Sequence, residues 1–267
     1  MSTLTIAAWQ AEGHAADVEA NTDAVRAAAR WAKEMESDLL ITPEMYLSGY
    51  NIPAERMREV AASADFPALV GGIAAEVGIA IVAGVPTSTP AGVYNSSIIV
   101  SATGEVLARH DKHMLFGDLD RELFLRGSEP FAAAEIGGVT VGTMICYDVE
   151  FPESVRAARA AGVELLAVPT ANMTGYETVN EHVIPSRAME NGMYVAYVNR
   201  VGVERTGPAG ELVYMGQSSV CSPFGERIAG LTGADSDQML FATIDTEAVT
   251  RARSENPYWE DLHEVQG

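Results

Sequence analysis

Cysteine is scarce in this sequence. Only two cysteines, Cys146 and Cys221, occur among the 267 residues. Two thiols are too few for a disulfide scaffold, and such usage is typical of proteins from a reducing compartment. The five histidines form neither an HExxH motif nor a Cys/His cluster, so the sequence predicts no zinc site. Each cysteine lies in a short apolar run, where the default role is that of a packed core thiol.

Positive charge and long apolar runs are also in short supply. The chain has 17 Lys+Arg against 37 Asp+Glu, which gives a formal net charge of −20. An acidic surface repels phosphate backbones and anionic lipid, so we expect neither nucleic-acid binding nor membrane binding. No stretch approaches the roughly 20 apolar residues that span a bilayer. The N-terminal ten residues lack the basic and apolar segments of a signal peptide, and we expect a cytoplasmic protein.

What the sequence does contain is enough apolar material for a large core, at 48% hydrophobic residues. A single domain over residues 1–267 is the expected organisation. Short β-branched runs alternate with longer stretches of helical apolar spacing, which predicts an α/β fold. The hairpin-like pair Val93–Val100 and Glu105–Arg109 predicts that the sheet is mixed. The polar segment from about residue 252, which contains two aromatic residues, is expected to be a frayed tail, and packing on a partner subunit is the alternative.

Three reactive side chains follow predicted strands. Glu44, Lys112 and Cys146 each lie within three residues of a strand end. Loops at the strand ends of layered α/β proteins converge on ligand sites, so we expect the three to meet at one edge. A thiol needs a base or a lowered pKa in order to attack. Glu44 offers the base, and Lys112 offers a cation for the thiolate and for a developing oxyanion. The backbone N–H of Tyr147 offers a further oxyanion donor.

The same three residues also have ordinary structural roles. A glutamate that follows a proline is usually a solvated loop residue, and a lone lysine in a charged loop usually has no function. A cysteine at the end of a strand is more often packed in the core than catalytic. Spacing alone therefore leaves both interpretations open.

The residue sequences of five motifs are more specific than the position of the three reactive residues after strands. The motifs are LLITPEMYLSGYN around Glu44, ARHDKHMLFGDLDRELFLRG around Lys112, VGTMICYDVEFPE around Cys146, AVPTANM at 167–173 and SRAMENGMYVAYVNRVG at 186–202. In this order they resemble the nitrilase superfamily of carbon–nitrogen hydrolases, and the similarity extends to about residue 245. The resemblance implies an α-β-β-α sandwich with mixed sheets that forms homodimers or larger homo-oligomers. It implies neither a metal nor an organic cofactor.

The resemblance also assigns roles to residues. It makes Cys146 the nucleophile, with Glu44 and Lys112 as its catalytic partners, and it leaves Cys221 as a core thiol. Many members of the superfamily carry a second glutamate shortly after the lysine. Register with the FLRG segment that follows places Asp120 at that position, whereas Glu122 is shifted by two residues. We therefore expect Asp120 to orient Lys112 or the substrate.

The residues after the cysteine resemble one branch of the superfamily. Cys146-Tyr147-Asp148 is similar to the amidases, whereas nitrilases usually have Cys-Trp-Glu and carbamoylases Cys-Asn-Asp. No arginine lies beside the cysteine to hold a substrate carboxylate, so small neutral aliphatic amides are the expected substrates. An omega-amidase acting on dicarboxylate monoamides and a nitrilase acting on related small substrates are alternatives. An alternative of another class is a catalytically silent interaction protein with the same fold.

Several loop residues are expected around the same edge and are candidates for substrate contact. They are Tyr46, Tyr50, Phe116, Tyr147, Asn172 and Met173. Ordinary loop packing is the alternative for each of them. Arg187 and Glu190, three residues apart in a predicted helix, are expected to touch each other in a structural role. Gly192 is expected to end that helix.

Overall fold

Two mixed six-stranded sheets form the centre of the fold. The computed structural model describes residues 2–230 and 237–266. Strands are numbered in chain order, and the first sheet contains, side by side, β14 (Gln238–Asp245), β1 (Thr3–Gln10), β2 (Leu39–Ile41), β3 (Ala80–Thr89), β4 (Gly92–Val100) and β5 (Val106–Asp111). The second contains β13 (Arg227–Gly230), β12 (Ser219–Cys221), β9 (Tyr194–Asn199), β8 (Leu165–Thr170), β7 (Val139–Thr143) and β6 (Ala132–Ile136). A separate hairpin pairs β10 (Val203–Gly207) with β11 (Gly210–Val213).

The helices are α1 (Val18–Glu34), α2 (Ala54–Ser63), α3 (Phe66–Val77), α4 (Gly117–Leu123), α5 (Pro152–Ala160), α6 (Ile184–Asn191), α7 (Thr246–Glu255) and α8 (Tyr258–Gln266). Side-chain caps mark the starts of α1, α3 and α7, and left-handed glycines end α3 and α6. The carboxylate of Asp17 accepts the Ala20 N–H at the start of α1, which satisfies one of the unpaired donors there. Gly192 has φ of +54° and ends α6 as predicted, because glycine adopts the left-handed conformation without a Cβ clash.

The apolar residues form three layers. One cluster, which includes Ile6, Ile41 and Val141, lies between the inner faces of the two sheets. A second fills the space between the outer face of the first sheet and helices α1 to α3. A third lies between the outer face of the second sheet and helices α5 and α6, and it contains Cys221. The expected α-β-β-α sandwich is therefore confirmed.

The C-terminal segment differs from the expectation. Residue 252 lies inside α7, and the segment beyond it is helical rather than frayed. The guanidinium of Arg159 lies 3.5 Å from the carboxylate of Glu260 and 5.8 Å from the ring centre of Trp259. These contacts hold α8 against α5. The expected frayed end is therefore not observed, because Trp259 and Glu260 contact Arg159 of the same chain.

The strand directions bring several loops to one edge of the molecule. Strands β1, β2 and β3 run parallel in the first sheet, as do β7, β8 and β9 in the second. Ala11, directly after β1, forms a parallel bridge with Arg200, directly after β9. The carboxyl ends of both parallel sets therefore meet. Within the ranges given above, no single helix is long and apolar enough to cross a membrane, and only the bent pair α2 and α3 has the length and composition together.

Candidate active site

Glu44 lies in the loop after β2, and its side chain is fully buried. Its Oε1 accepts hydrogen bonds from Lys112 Nζ at 2.7 Å and from Asn95 Nδ2 at 2.6 Å. Its Oε2 is also buried and has no hydrogen-bond partner within residues 2–230 and 237–266. One carboxylate oxygen is thus held in place while the other remains available to take a proton.

The backbone around Glu44 is packed against a glycine of the neighbouring strand. A Cβ on Gly84 of β3 would lie 2.5 Å from the Pro43 carbonyl oxygen and 2.6 Å from the Met45 nitrogen. Such distances are far below van der Waals contact, so any larger residue would displace the loop. Glycine at this position therefore lets the loop that carries Glu44 lie directly on the sheet.

Lys112 lies directly after β5, and it is buried between two carboxylates. Its Nζ is 2.7 Å from Glu44 Oε1 and 2.8 Å from Asp120 Oδ2. Burial alone would lower the pKa of the lysine, but the charges of Asp120 and Glu44 outweigh it and raise the pKa well above its ordinary value. Lys112 therefore stays protonated, and it is a fixed cation at the centre of the site.

Asp120 lies in α4, and the structure places it, not Glu122, against Lys112. Its Oδ2 also accepts the Phe116 N–H at 2.8 Å, and its Oδ1 accepts the Tyr50 hydroxyl at 2.7 Å. Asp120 is fully buried, whereas Glu122 is exposed. The short aspartate reaches the lysine directly because α4 carries its backbone close to Lys112.

Cys146 lies on a turn that connects β7 to a short 3₁₀ helix over Cys146–Glu150. Its φ is +45°, a left-handed value that is uncommon for a residue with a side chain and that occurs preferentially at functional sites. The residue is partly exposed. The N–H of Tyr147 lies in the first turn of the 3₁₀ helix, where backbone donors have no acceptor within the helix. This arrangement resembles a nucleophile elbow, in which a turn presents the reactive atom beside free N–H groups.

Asp148 fastens the cysteine turn to the loop that carries Lys112. Its Oδ2 accepts the Ile145 N–H at 3.1 Å and contacts His110 Nε2 at 2.8 Å. Its Oδ1 accepts the N–H groups of His113 at 3.1 Å and Met114 at 2.6 Å. The carboxylate is fully buried. One side chain therefore sets the position of Cys146 relative to Lys112.

Burial and nearby charge determine the protonation of the thiol. Burial raises the pKa of the Cys146 thiol well above its ordinary value, and the carboxylate of Glu44 raises it further, while Lys112 opposes them. Burial likewise raises the pKa of Glu44, although Lys112 opposes the change. The resting cysteine is consequently a neutral thiol at neutral pH. It needs a base at the moment of attack.

Aromatic rings cluster around Tyr147, the residue that follows the cysteine. The ring of Tyr147 meets those of Phe116 and Phe151 edge to face, with centroids 5.3 and 4.9 Å apart. Phe116 also meets Tyr176 at 5.7 Å. Phe116, Tyr176 and Met173 line one side of an open cleft of about 450 Å³, and the hairpin β10–β11 lines the other. Two of the expected contact residues, Phe116 and Met173, therefore line this cleft, and a third, Tyr147, packs against Phe116.

The other candidates for substrate contact have different positions. The ring of Tyr46 packs on Trp9 with centroids 4.6 Å apart, and its hydroxyl donates to the Glu12 carbonyl. Tyr46 therefore belongs to the core, and the expectation for it is not met. Asn172 donates through Nδ2 to the carbonyl of Tyr176 at 3.3 Å, so its amide braces its own loop. Tyr50 contacts the charged cluster instead, through its hydrogen bond to Asp120 and through its ring, whose centre lies 5.6 Å from Lys112 Nζ.

The expected contact between Arg187 and Glu190 is present at 3.1 Å. Arg187 also donates to the carbonyl oxygens of Val149 at 3.0 Å and Glu150 at 2.6 Å. These are the last carbonyls of the 3₁₀ helix that begins at Cys146. The guanidinium therefore fixes the far end of the cysteine turn.

Sequence reasoning missed three residues that shape the site. Asn95 lies inside β4, where a polar residue in an apolar strand was the only signal. Asp148 was used to choose a branch of the superfamily and not as a structural fastener. Glu150 is partly buried, and burial raises the pKa of its carboxyl while Lys112 and Arg187 oppose the change. It also acts electrostatically on Cys146, so it is a second acidic group beside the nucleophile.

Comparison with known proteins adds independent findings. The carbon–nitrogen hydrolase family matches residues 5–254. A Pseudomonas protegens protein described as "Hydrolase in pqqF 5'region" is 39% identical over 264 residues, which cover 98% of this chain and 90% of that protein. An (R)-stereoselective amidase of a Pseudomonas species is 32% identical, with 85% of this chain and 80% of the amidase covered.

Solved structures of an amidase from Nesterenkonia sp. AN1 show the same fold at 32% identity. One, a double mutant in complex with acrylamide, has a TM-score of 0.83 and covers 100% of this chain and 98% of its own. Another has the same TM-score, with 99% and 97% covered, and shows covalent addition of the acetamide moiety of fluoroacetamide at the active-site cysteine. The fold described above is thus that of an enzyme with a reactive cysteine.

Asp120 and Glu122 provide a matched pair of substitutions. Asp120→Asn removes the charge that faces Lys112, so we expect turnover to fall on the order of tenfold to a thousandfold, as is usual for the loss of an orienting group. Glu122→Gln alters only an exposed carboxylate and should leave turnover unchanged. Parallel steady-state kinetics on the two variants check this, and damage confined to Glu122→Gln would show that Asp120 does not have the orienting role.

Proposed function

The chain belongs to the carbon–nitrogen hydrolase family, and on this premise we propose that it hydrolyses small neutral amides to ammonia and a carboxylic acid through a thioester on Cys146. The observation that carries the proposal is a cysteine on a left-handed turn together with a buried carboxylate whose Oε2 has no hydrogen-bond partner among the described residues. A complete charged cluster of this kind, together with relatives named amidase, disfavours a catalytically silent interaction protein.

The first step is acylation. The sulfur of Cys146 bonds to the amide carbon while Glu44 Oε2 takes the thiol proton, and the C=O electron pair moves onto the oxygen. Lys112 Nζ and the Tyr147 N–H stabilise that oxyanion, because donors fixed in a site of low polarity are worth more than donors in water. When the oxyanion collapses, the C–N bond breaks and Glu44 returns its proton to the nitrogen. Ammonia leaves and a thioester remains.

The second step is deacylation, in which a water molecule takes the place of the thiol as the nucleophile. Glu44 takes a proton from a water molecule whose oxygen attacks the thioester carbon, and a second oxyanion forms at the same donors. On collapse the C–S bond breaks, and the sulfur recovers a proton from Glu44. One carboxylate acts as base, acid and base again, which requires a pKa closer to neutrality than that of a free glutamate. Burial of Glu44 raises its pKa in that direction.

The charges around the site favour a neutral substrate. Lys112 is paired with Glu44 and Asp120, and Arg187 with Glu190, so neither is free to bind a substrate carboxylate. Glu150 adds a negative group near Cys146, which repels anions. A relative from Bacillus subtilis is named 2-oxoglutaramate amidase. An omega-amidase activity here would need a cation that these pairs do not supply, and the aromatic rings around Tyr147 suit an uncharged acyl group instead.

Trapping of the intermediate tests the proposal. With a small aliphatic amide and added hydroxylamine, we expect a hydroxamate product, and intact-protein mass spectrometry should show an acyl adduct on Cys146. Cys146→Ala should abolish both, whereas Cys221→Ala, a change in a packed core thiol, should retain both. Glu44→Gln should form the adduct far more slowly because no base takes the thiol proton. Turnover by pure Cys146→Ala, or a normal adduct rate in Glu44→Gln, would contradict this mechanism.

Substrate charge provides a separate prediction. Wild-type protein should hydrolyse a neutral amide such as butyramide with a higher kcat/KM than a dicarboxylate monoamide of similar length. Glu150→Gln should lower the ratio of kcat/KM for the neutral amide to kcat/KM for the monoamide, because it removes a charge that repels the substrate carboxylate without adding a cation. The two kcat/KM values for each protein measure the effect. Preference of the wild type for the dicarboxylate monoamide would favour the omega-amidase alternative.

A further inference from the structure

A second buried ion pair lies behind Glu44. Arg200 follows β9 directly and Glu204 lies in β10, and their side chains are only 1% and 4% exposed. Arg200 Nη2 is 2.8 Å from Glu204 Oε1. Two charges removed from water in this way are costly unless further hydrogen bonds satisfy them. Most of the bonds that do so lead to the loop that carries Glu44.

Arg200 holds the backbone at Glu44 itself. Its Nη1 donates to the carbonyl oxygens of Glu44 at 3.3 Å and Met45 at 3.2 Å. Met45 has φ of +48°, so the chain makes a left-handed turn immediately after the proposed base. Conformations of this kind persist only where surrounding contacts impose them. The guanidinium is the side-chain group that donates to both carbonyls of the turn.

Glu204 holds the other end of the same loop. Its two oxygens accept the N–H groups of Tyr50 at 3.1 Å and Asn51 at 2.6 Å, and the hydroxyl of Tyr214 at 2.6 Å. With Arg200 this makes four donors on one carboxylate. The hydroxyl of Tyr50 in turn donates to Asp120 at 2.7 Å. The ion pair therefore acts on both carboxylates that flank Lys112, on Glu44 through its backbone and on Asp120 through Tyr50.

We infer that Arg200 and Glu204 are positioning residues for amide hydrolysis, and this inference rests on the function proposed above. Neither residue touches Cys146 or Lys112. They determine where the Glu44 carboxylate lies relative to the thiol and how closely Asp120 is held. A shift of the order of an ångström in such a group is enough to cost about a hundredfold in rate. The hairpin β10–β11, which supplies Glu204, is thereby part of the catalytic framework as well as a wall of the cleft.

The test compares two Arg→Lys substitutions. Arg200→Lys keeps the charge but loses the planar fork that bonds Glu204 and two carbonyls together. Arg253 of α7 also donates to two backbone carbonyls, those of Gly192 at 3.0 Å and Val163 at 2.6 Å. These carbonyls precede the starts of β9 and β8, at the opposite edge from the site. Arg253→Lys is therefore a control for the loss of a similar structural contact.

The readouts separate positioning from stability. We expect kcat/KM to fall on the order of tenfold to a hundredfold in Arg200→Lys and to stay at the wild-type level in Arg253→Lys, at comparable losses of Tm. We also measure the rate of single-turnover acylation as a function of pH. The acidic limb of that pH–rate profile should move to lower pH in Arg200→Lys. Loosening the loop admits water around Glu44 and reduces the burial that raises its pKa. A purely structural defect would lower the active fraction without moving the limb.

Equal effects of the two substitutions on kcat/KM, or an unmoved acid limb in Arg200→Lys, would overturn the inference. If Arg200→Lys does not fold, Tyr214→Phe, which removes one donor from Glu204, should move the limb in the same direction, and no movement would overturn the inference. Failure of the wild type to hydrolyse any amide would instead refute the proposed function. In that case the positioning role is tested by the rate at which iodoacetamide alkylates Cys146. Alkylation should be slower in Arg200→Lys than in Arg253→Lys, and equal rates would overturn the inference.

Discussion

The ammonium group of Lys112, buried between Glu44 and Asp120, is the interaction on which the site depends. A buried carboxylate without a partner would take up a proton rather than stay charged, and a protonated Glu44 could not serve as a base. The lysine lies 2.7 Å from Glu44 and 2.8 Å from Asp120, and its charge opposes the rise in the pKa of Glu44 that burial causes. In return the two carboxylates keep the lysine charged. The same cation faces the place where negative charge develops during the proposed reaction.

The surrounding structure fixes the position of these three side chains relative to the thiol of Cys146. Asp148 ties the cysteine turn to the loop after β5, and Arg187 fixes the end of the 3₁₀ helix. Arg200 and Glu204 fix the loop that carries Glu44. Each of these charged side chains is buried or largely buried and bonds to backbone groups of a loop or turn. Such bonds are stronger than neutral ones, which is how irregular segments at the strand ends obtain the rigidity of the sheets beneath them.

The fold and the main reactive residues could be predicted from the sequence because their signals are local. Alternation of strands and helices indicated α/β layers, and the strand ends made Glu44, Lys112 and Cys146 candidates. The resemblance of five local motifs to the nitrilase superfamily then implied the sandwich and the roles of the three residues. The register of Asp120 was also local, since it depended on residues in the same segment. Contacts across the sandwich left no such signal. Asn95 lies inside a strand, and Glu204 reaches the Glu44 loop from a hairpin more than 150 residues away in sequence. Tyr46 was misplaced because loop position does not determine side-chain direction.

In the proposed mechanism Cys146 is a neutral thiol before the reaction begins, and Glu44 activates it only during attack. Infrared difference spectroscopy of wild type against Cys146→Ala measures this directly, because the subtraction removes the S–H band of Cys221. We predict an S–H stretching band from Cys146 at neutral pH that disappears only above the ordinary pKa range of a thiol, since burial and Glu44 raise its pKa. The absence of that band at neutral pH would show a preformed thiolate and would contradict the account.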